Sequence, residues 1–418
     1  MRIRRTIFVS MLMVLLACTP AFASISFEVN GSQFKPNTDY VLNNGVTYVE
    51  ASTIDTLMGA DVEVSDQNIV IIHNDDKLAL TVGENEGLFN GEKVDLNASP
   101  YQNNGAVMLP LRAVSEILGA KITWDEVNNK VVINYQETRN NMPADEILVK
   151  ASQVMNELPT YAMEGTMQIK MNMSGIEEEG FPLDLAVDTD LFAHYQKEPL
   201  AVYTKQTMNM SGLPEMPAEA ANMEMEALLV DNNYYMNMPE MGWVKMDLGP
   251  LNLDDLMQTY NNQDPSLMLK QMNDFGMIAT YGNDVTIDGQ KYWVINVAMD
   301  QEKFMGEYQK ILGQLPVPQD EFTDILSNMN FDMKYSNLVN TTTYMTDYMD
   351  MDMTMTMSMP SPEENSTEVL DMNMNMKGRF KIKEASSDFK LPDVSSAVDF
   401  PVLTEGASST PESLAPAN

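Results

Sequence analysis

The sequence predicts an α+β protein: a small duplicated N-terminal domain, then a second domain of long antiparallel strands with a few helices. Three observations carry this. A segment recurs at an offset of 60 residues: Val29-Asn30-Gly31 as Phe89-Asn90-Gly91, Asn44-Gly45 as Asn104-Gly105, and Leu57-Met58-Gly59-Ala60 as Ile117-Leu118-Gly119-Ala120. Composition changes near residue 141, with only five of the 38 methionines before residue 142. Beyond Pro159 apolar residues recur at every second position, and from 349 to 359 every second residue is methionine.

Ahead of the repeat, Arg2, Arg4 and Arg5 precede an apolar run from Ile7 to Ala17, and Ala21-Phe22-Ala23 follows. This is the basic, apolar, A-x-A order of a secretory signal, so residues 1–23 read as a signal peptide cleaved before Ser24. The run is shorter than the roughly 20 residues of a membrane-spanning helix. A second reading stays open: Leu15-Leu16-Ala17-Cys18 is similar to a lipobox, in which Cys18 would carry a lipid anchor. Cys18 is the chain's one cysteine, so a mature chain without it has no thiol and no disulfide.

The chain has 61 acidic against 25 basic residues and a net charge of −36. Long-range repulsion from phosphates argues against a nucleic acid partner. No later apolar stretch has membrane length, so no transmembrane span is expected in the mature chain.

Each copy of the repeat reads alike. An Asn-Gly turn leads into a short strand, Thr47–Val49 or Ala106–Leu109. A short helix follows, Arg112–Leu118 in the second copy, with Gly119 as its left-handed cap. A strand then ends in Lys130-Val131-Val132-Ile133-Asn134. The run from Met108-Leu109-Pro110-Leu111-Arg112 to Ile122-Thr123-Trp124-Asp125 resembles the copper amine oxidase N-terminal-like domain over residues 25–135. In the first copy, Glu50-Ala51-Ser52 stands where the second has Pro110-Leu111-Arg112. The resemblance implies an accessory or wall-association module of exported Gram-positive proteins, with a cell-wall polymer as a candidate partner. It does not imply oxidase activity. That chemistry needs three histidines for copper and a quinone-forming tyrosine, whereas this chain has only His73 and His194, read here as ordinary surface residues, and no Asn-Tyr-acidic setting. No cofactor is expected.

In the second domain, expected over residues 142–400, Ile147, Ala151, Val154 and Leu158 form the stripe of an amphipathic helix over Ala144–Leu158. Met163, Gly165, Met167, Ile169, Met171 and Met173 alternate as one face of a strand. Met349, Met351, Met353, Met355, Met357 and Met359 do the same, and Met372, Met374 and Met376 follow after a hairpin loop at Pro360–Thr367. Helical interruptions are expected near Leu253–Phe275 and Gln301–Leu312, the latter capped by Gly313. The opening helix, Tyr161-Ala162-Met163-Glu164-Gly165-Thr166 and Gly242-Trp243-Val244-Lys245 are similar to exported proteins of the LolA/LppX lipoprotein-carrier type. That resemblance implies a curved antiparallel sheet wrapping a few helices around an apolar cavity. Residues 401–418 read as a disordered tail.

The nine methionines from Met349 to Met376 are the candidate binding residues, and three readings of them stay open. Thioethers fill irregular core space, they suit a face that accommodates an apolar ligand such as lipid, and they select Cu(I). Phosphate loops, HExxH and G-x-S-x-G are missing from the sequence, and nothing selects a catalytic pair among its acids. The sequence therefore points to a non-enzymatic exported envelope protein, secreted or wall-associated, whose second domain binds an apolar ligand. The alternatives are a structural protein with a packed methionine core and a Cu(I)-binding protein.

Overall fold

The Asn-Gly pairs set the local geometry of the first domain. Asn30, Asn44, Asn90 and Asn104 take φ near 50°, each followed by a glycine of positive φ. Two consecutive positive φ values define the type I′ hairpin turn, whose twist matches the strands it joins. In a computed structural model, these turns connect β1 (Ser26–Val29) to β2 (Ser32–Phe34), β3 (Tyr40–Asn43) to β4 (Val46–Glu50), β8 (Glu86–Phe89) to β9 (Glu92–Asp95), and β10 (Tyr101–Asn103) to β11 (Ala106–Pro110). The structure describes residues 25–38, 40–175, 183–212, 221–230, 233–238, 241–246, 264–312, 329–360, 369–386 and 388–399. The expected signal peptide with Cys18, the loop after Pro360, residues 253–263, Gly313 and the tail lie outside these.

Helix α1 (Ala51–Met58) follows β4, and α2 (Leu111–Ile117) follows β11, one residue from the expected start. The domain is completed by β5 (Asp61–Ser65), β6 (Asn68–His73), β7 (Asp76–Thr81), β12 (Lys121–Asp125) and β13 (Lys130–Asn134). Three small sheets result, ordered β12-β13-β1-β2, β10-β11-β4-β3 and β5-β6-β7-β8-β9. Their inner faces bury Phe27, Ile54, Leu57, Ile69, Ile71, Leu78, Leu109 and Val114.

The second domain opens with α3 (Ala144–Glu157), which starts after Pro143, with Asp145 and Glu146 in the first turn where they complement the helix dipole. Long strands follow: β14 (Thr160–Ser174), β15 (Leu183–Gln196), β16 (Ala201–Ser211), β17 (Asn222–Val230), β18 (Asn233–Met238) and β19 (Gly242–Met246). Then come α4 (Pro265–Asp274), β20 (Met277–Tyr281), β21 (Val285–Ile287), β22 (Gln290–Met299), α5 (Gln301–Leu312), β23 (Met329–Asn340), β24 (Thr346–Pro360), β25 (Val369–Glu384) and β26 (Val398–Asp399). They form one 13-stranded sheet in the order β20-β22-β23-β24-β25-β14-β15-β16-β17-β18-β19-β26, with β21 on β22. Two meanders meet where β25 returns to pair with β14. The sheet curls, and its described residues carry three helices: α3 contacts β20, β23 and β24, α4 contacts α3 and β20, and α5 contacts β23. Strand dominates the described residues and five helices accompany it, consistent with the curved antiparallel sheet and few helices expected from the sequence. No helix among the described residues is long and apolar enough to cross a membrane.

The domains share a core. Ile278 of β20 and Ala298 of β22 are buried within the N-terminal cluster. Around that contact, the Lys35 amide donates to Asp300 Oδ2 (2.9 Å), Lys303 Nζ to the Gln33 carbonyl (2.9 Å) and Asn283 Nδ2 to Asp61 Oδ2 (2.6 Å). At Gly59, φ is +68° and a Cβ would lie 2.0 Å from the Tyr281 carbonyl oxygen. Glycine is thus required there both by backbone conformation and by the approach of the other domain.

Candidate functional site

Helix α3 carries two apolar stripes. Ile147 and Ala151 are buried against Tyr281, Trp293, Ile295 and Val339. Leu148, Ser152 and Met155, also spaced i, i+4, i+7, face a cavity of about 1090 Å³ between the helices and the sheet. Met268 and Met272 of α4, its C-cap Phe275, and Phe304 and Tyr308 of α5 complete the helical wall. The sheet contributes Tyr161, Met163, Val202, Thr204, Tyr335, Asn337, Met349 and Ile382. The lining holds no Asp, Glu, Lys or Arg. Its mainly apolar and aromatic lining with a few polar groups is that of sites that bind small apolar molecules.

Two phenols of the lining stay neutral near pH 7. Burial pushes the Tyr335 phenol up to about 12. Burial first, and then Tyr195, raises that of Tyr161. Both phenols therefore present hydroxyls that donate or accept hydrogen bonds without charge. A smaller cavity of about 330 Å³ lies at the domain seam, where Glu137, Asp145 and Thr280 make the lining polar.

Strand register places the nine predicted methionines on one face. Met349 lies opposite Phe380 and Asn337, Met353 opposite Met376 and Met333, Met355 opposite Met374 and Phe331, and Met357 opposite Met372 and Met329. On the next strand, Met374 faces Met171 and Met372 faces Met173. Across β23, β24, β25, β14 and β15, the residues sharing this face between Met329 and Asn337, Met349 and Met359, Leu370 and Ile382, Tyr161 and Met173, and Leu183 and Tyr195 carry no charge. All nine methionines are half-buried. Only Met349 lines the large cavity. Met355 packs beside Met299, Met305 and Phe331. Met374, Met171 and Leu185 border a shallower depression whose lining is mostly from the opposite face, with Lys170, Asn172, Asp184, Thr354, Asn373 and Asn375. Met351, Met353, Met357, Met359, Met372 and Met376 continue the face beyond these sites.

The opposite face is polar and paired. Arg379 forks onto both carboxylate oxygens of Asp350 at 2.6 Å, and Lys377 pairs with Asp352 at 2.8 Å. Gln168 donates to Asp188 and Asn172 to Asp184. This face settles the role of Asp350 and Asp352 as solvated strand positions.

Neither histidine is a surface residue. His73 is buried at the domain seam, 2.7 Å from Glu137, which also accepts from the Tyr135 hydroxyl at 3.2 Å and pairs with Arg139. His194 is buried on the outer face, stacked at 4.0 Å on Phe389, which also contacts Phe192 and Tyr203, and desolvation lowers its pKa. Among the described residues no three His, Cys, Asp or Glu side chains form a metal-holding group. The helical wall of the cavity was missed in the sequence. Its signal was present in α3 as the second stripe, Leu148, Ser152 and Met155.

Residues 143–396, more than half of the chain, match the model of a family of unknown function, DUF6612. The chain belongs to the DUF6612 family. The cavity and the methionine face lie wholly within the DUF6612 domain. Residues 28–133 match the copper amine oxidase N-terminal domain, in agreement with the resemblance of the Met108–Asp125 run. No curated protein matches the chain. Among solved structures, LprF from Mycobacterium bovis is similar at 11% identity and a TM-score of 0.26, covering 60% of this chain and 96% of its own. A likeness that shallow carries no functional argument.

Proposed function

We propose that this protein is an exported envelope protein whose DUF6612 domain binds an apolar ligand such as a lipid, without catalysing a reaction. The observation that carries the reading is the uncharged cavity of about 1090 Å³ under α3, α4 and α5. An acyl chain transferred there from water gains about 0.8 kcal/mol per buried methylene, so a chain of ordinary length supplies ample driving force. The curled sheet with helices on one side supports the carrier-type architecture expected from Tyr161–Thr166 and Gly242–Lys245. Met349 carries the methionine face into the cavity wall, and the methionines from Met351 to Met376 continue that apolar face outside the cavity.

The N-terminal unit, residues 24–138, is a duplicated accessory module that holds the carrier at the wall. The succession of β3, β4, α1, β5 and β6, followed by β10, β11, α2, β12 and β13, supports the duplication. Residues 1–23 direct export.

Native mass spectrometry of the purified mature chain, with titration of a fluorescent fatty acid, tests the binding reading. A co-purified lipid or saturable one-site probe binding is expected. A chain free of ligand that also fails to bind the probe overturns it.

A further inference from the structure

The strand register builds a feature that the cavity does not use. Met355 and Met357 on β24 lie directly opposite Met374 and Met372 on β25, which in turn lie opposite Met171 and Met173 on β14. Directly opposed residues of an antiparallel pair have Cβ atoms about 4.5–5.5 Å apart. Successive residues on the same face of a strand are about 6.8 Å apart along it. Met355, Met357, Met372 and Met374 thus stand at the corners of a small rectangle on one surface. A methionine side chain has three rotatable bonds, so the four sulfurs can converge above its centre.

Packing alone does not account for this choice of residue along the whole face. β-branched and aromatic side chains suit a strand better than methionine, and leucine or isoleucine would make the face as apolar. Methionine fills closed, irregular space, as Met355 does beside Met299, Met305 and Phe331, but all six residues stay partly exposed along the face. What thioethers add is soft-donor chemistry, and they discriminate strongly for Cu(I). Carboxylates of the same strands, Asp350, Asp352 and Asp371, occupy the alternate positions on the opposite face, so the rectangle offers sulfur alone.

The geometry points to a thioether site for a soft monovalent cation, Cu(I) or its analogue Ag(I), formed by Met355, Met357, Met372 and Met374 and flanked by Met171 and Met173. Binding needs no redox step and releases no proton, because a thioether has none to lose. Histidine, thiol and carboxylate sites all gain or lose affinity as they titrate. This one holds its affinity as pH changes.

The test is anaerobic titration of the full mature chain with Cu(I) against a chromophoric chelator, repeated with Ag(I), at pH 5 and pH 8. A variant with Met355, Met357, Met372 and Met374 all changed to leucine conserves volume. It should weaken Cu(I) binding at least tenfold while keeping its circular dichroism and its affinity for the fluorescent fatty acid. A control with leucine at Met142, Met241 and Met345, which lie outside β14, β24 and β25, should bind as wild type does. Wild-type affinity should change less than threefold between the two pH values. The site is refuted if wild type fails to compete for Cu(I), if the fourfold variant binds as tightly, if the control loses affinity equally, or if affinity collapses at pH 5. Fatty-acid binding is read separately in each variant, so failure of the metal site leaves the cavity reading standing, and the reverse also holds.

Discussion

Replacing Met349 by glutamine separates a ligand cavity from a packed core, with Met355→Gln as its counterpart. Glutamine roughly conserves volume and adds an amide. At position 349 the side chain borders the cavity, and the directly opposite residue is Asn337, whose amide can pair with the new one. The stability cost should stay below about 1 kcal/mol, a fall in Tm of under about 4 °C for a domain of this size. Full burial of a methionine is worth about 1.5–3 kcal/mol, and Met349 is half-buried before a ligand enters. Losing the remaining contact costs about 0.8–1.5 kcal/mol, a roughly fourfold to twelvefold weaker Kd for a fluorescent fatty acid. Met355 packs against the buried cluster of Met299, Met305 and Phe331 instead. There an amide without a partner costs about 1–3 kcal/mol, while probe affinity should change less than twofold. Calorimetry and probe titration of the two variants read both quantities. The reasoning fails if Met355→Gln weakens the probe as much as Met349→Gln, or if Met349→Gln lowers Tm steeply and leaves Kd untouched.

Gly59→Ala should destabilise the chain by about 2 kcal/mol or more in denaturant unfolding, through a positive φ of 68° and a Cβ placed 2.0 Å from the Tyr281 carbonyl; a change under about 0.5 kcal/mol would show that the seam yields. Burial alone would raise the Glu137 carboxyl, but His73 and then Arg139 outweigh it and hold the group at about 2, below its ordinary 4.5. Because the folded pKa is depressed, its contribution of about 2–3 kcal/mol is complete above pH 4.5 and is lost as pH falls toward 2; Glu137→Gln should flatten the acid limb of the Tm-versus-pH curve, and an unchanged limb would contradict the seam's role. A fragment of residues 24–140 should unfold cooperatively but at lower temperature than the full chain, since it leaves the core contacts of Ile278 and Ala298 unmade; a non-cooperative melt would show that the two domains fold only together. N-terminal sequencing of secreted material should begin at Ser24, and a lipidated Cys18 would replace the secreted form with an anchored one.

Local structure was legible wherever one residue type has one conformational use. Asn-Gly located four hairpins because few residues tolerate positive φ twice in succession, and Pro143 with the 3.6-residue period located α3 to within a residue of its end. Period two located β14 and β24 and told which residues share a face, including all nine candidate methionines. A period does not name the partner of a face. That β25 would return to β14, making Met171 and Met173 neighbours of Met374 and Met372, depends on a pairing between strands roughly 200 residues apart. The burial of His73 was illegible for the same reason. Its partner Glu137 is 64 residues away, and both take their environment from a seam with Asn283 and Asp284 that lies further still along the chain. The second stripe of α3 was visible but ambiguous, since Leu148, Ser152 and Met155 fit a packed helix as well as a cavity wall.

Strand β20 joins the domain seam to the cavity wall. In five residues it serves three environments: Met277 lines the cavity, Ile278 is buried in the core of the N-terminal domain, and Tyr281 packs under α3 with its hydroxyl donating to the Met142 carbonyl at 2.7 Å. It follows α4 through Phe275 and Gly276; α4 supplies Met268 and Met272 to the cavity wall, and its C-cap Phe275 joins them. Gly276 adopts φ of +69° against Asp300 and Lys303, the residues that bond Lys35 and Gln33 of the first domain. A wall element and a domain contact are therefore joined by two residues of backbone, one of which has no freedom to be replaced. An occupant that displaces α4 outward must either carry β20 with it, and so strain the shared core at Ile278, or bend the chain at Gly276. The first route links cavity occupancy to the attachment of the N-terminal domain. The second leaves that attachment intact, and the tight contacts around Gly276 make it the costlier of the two.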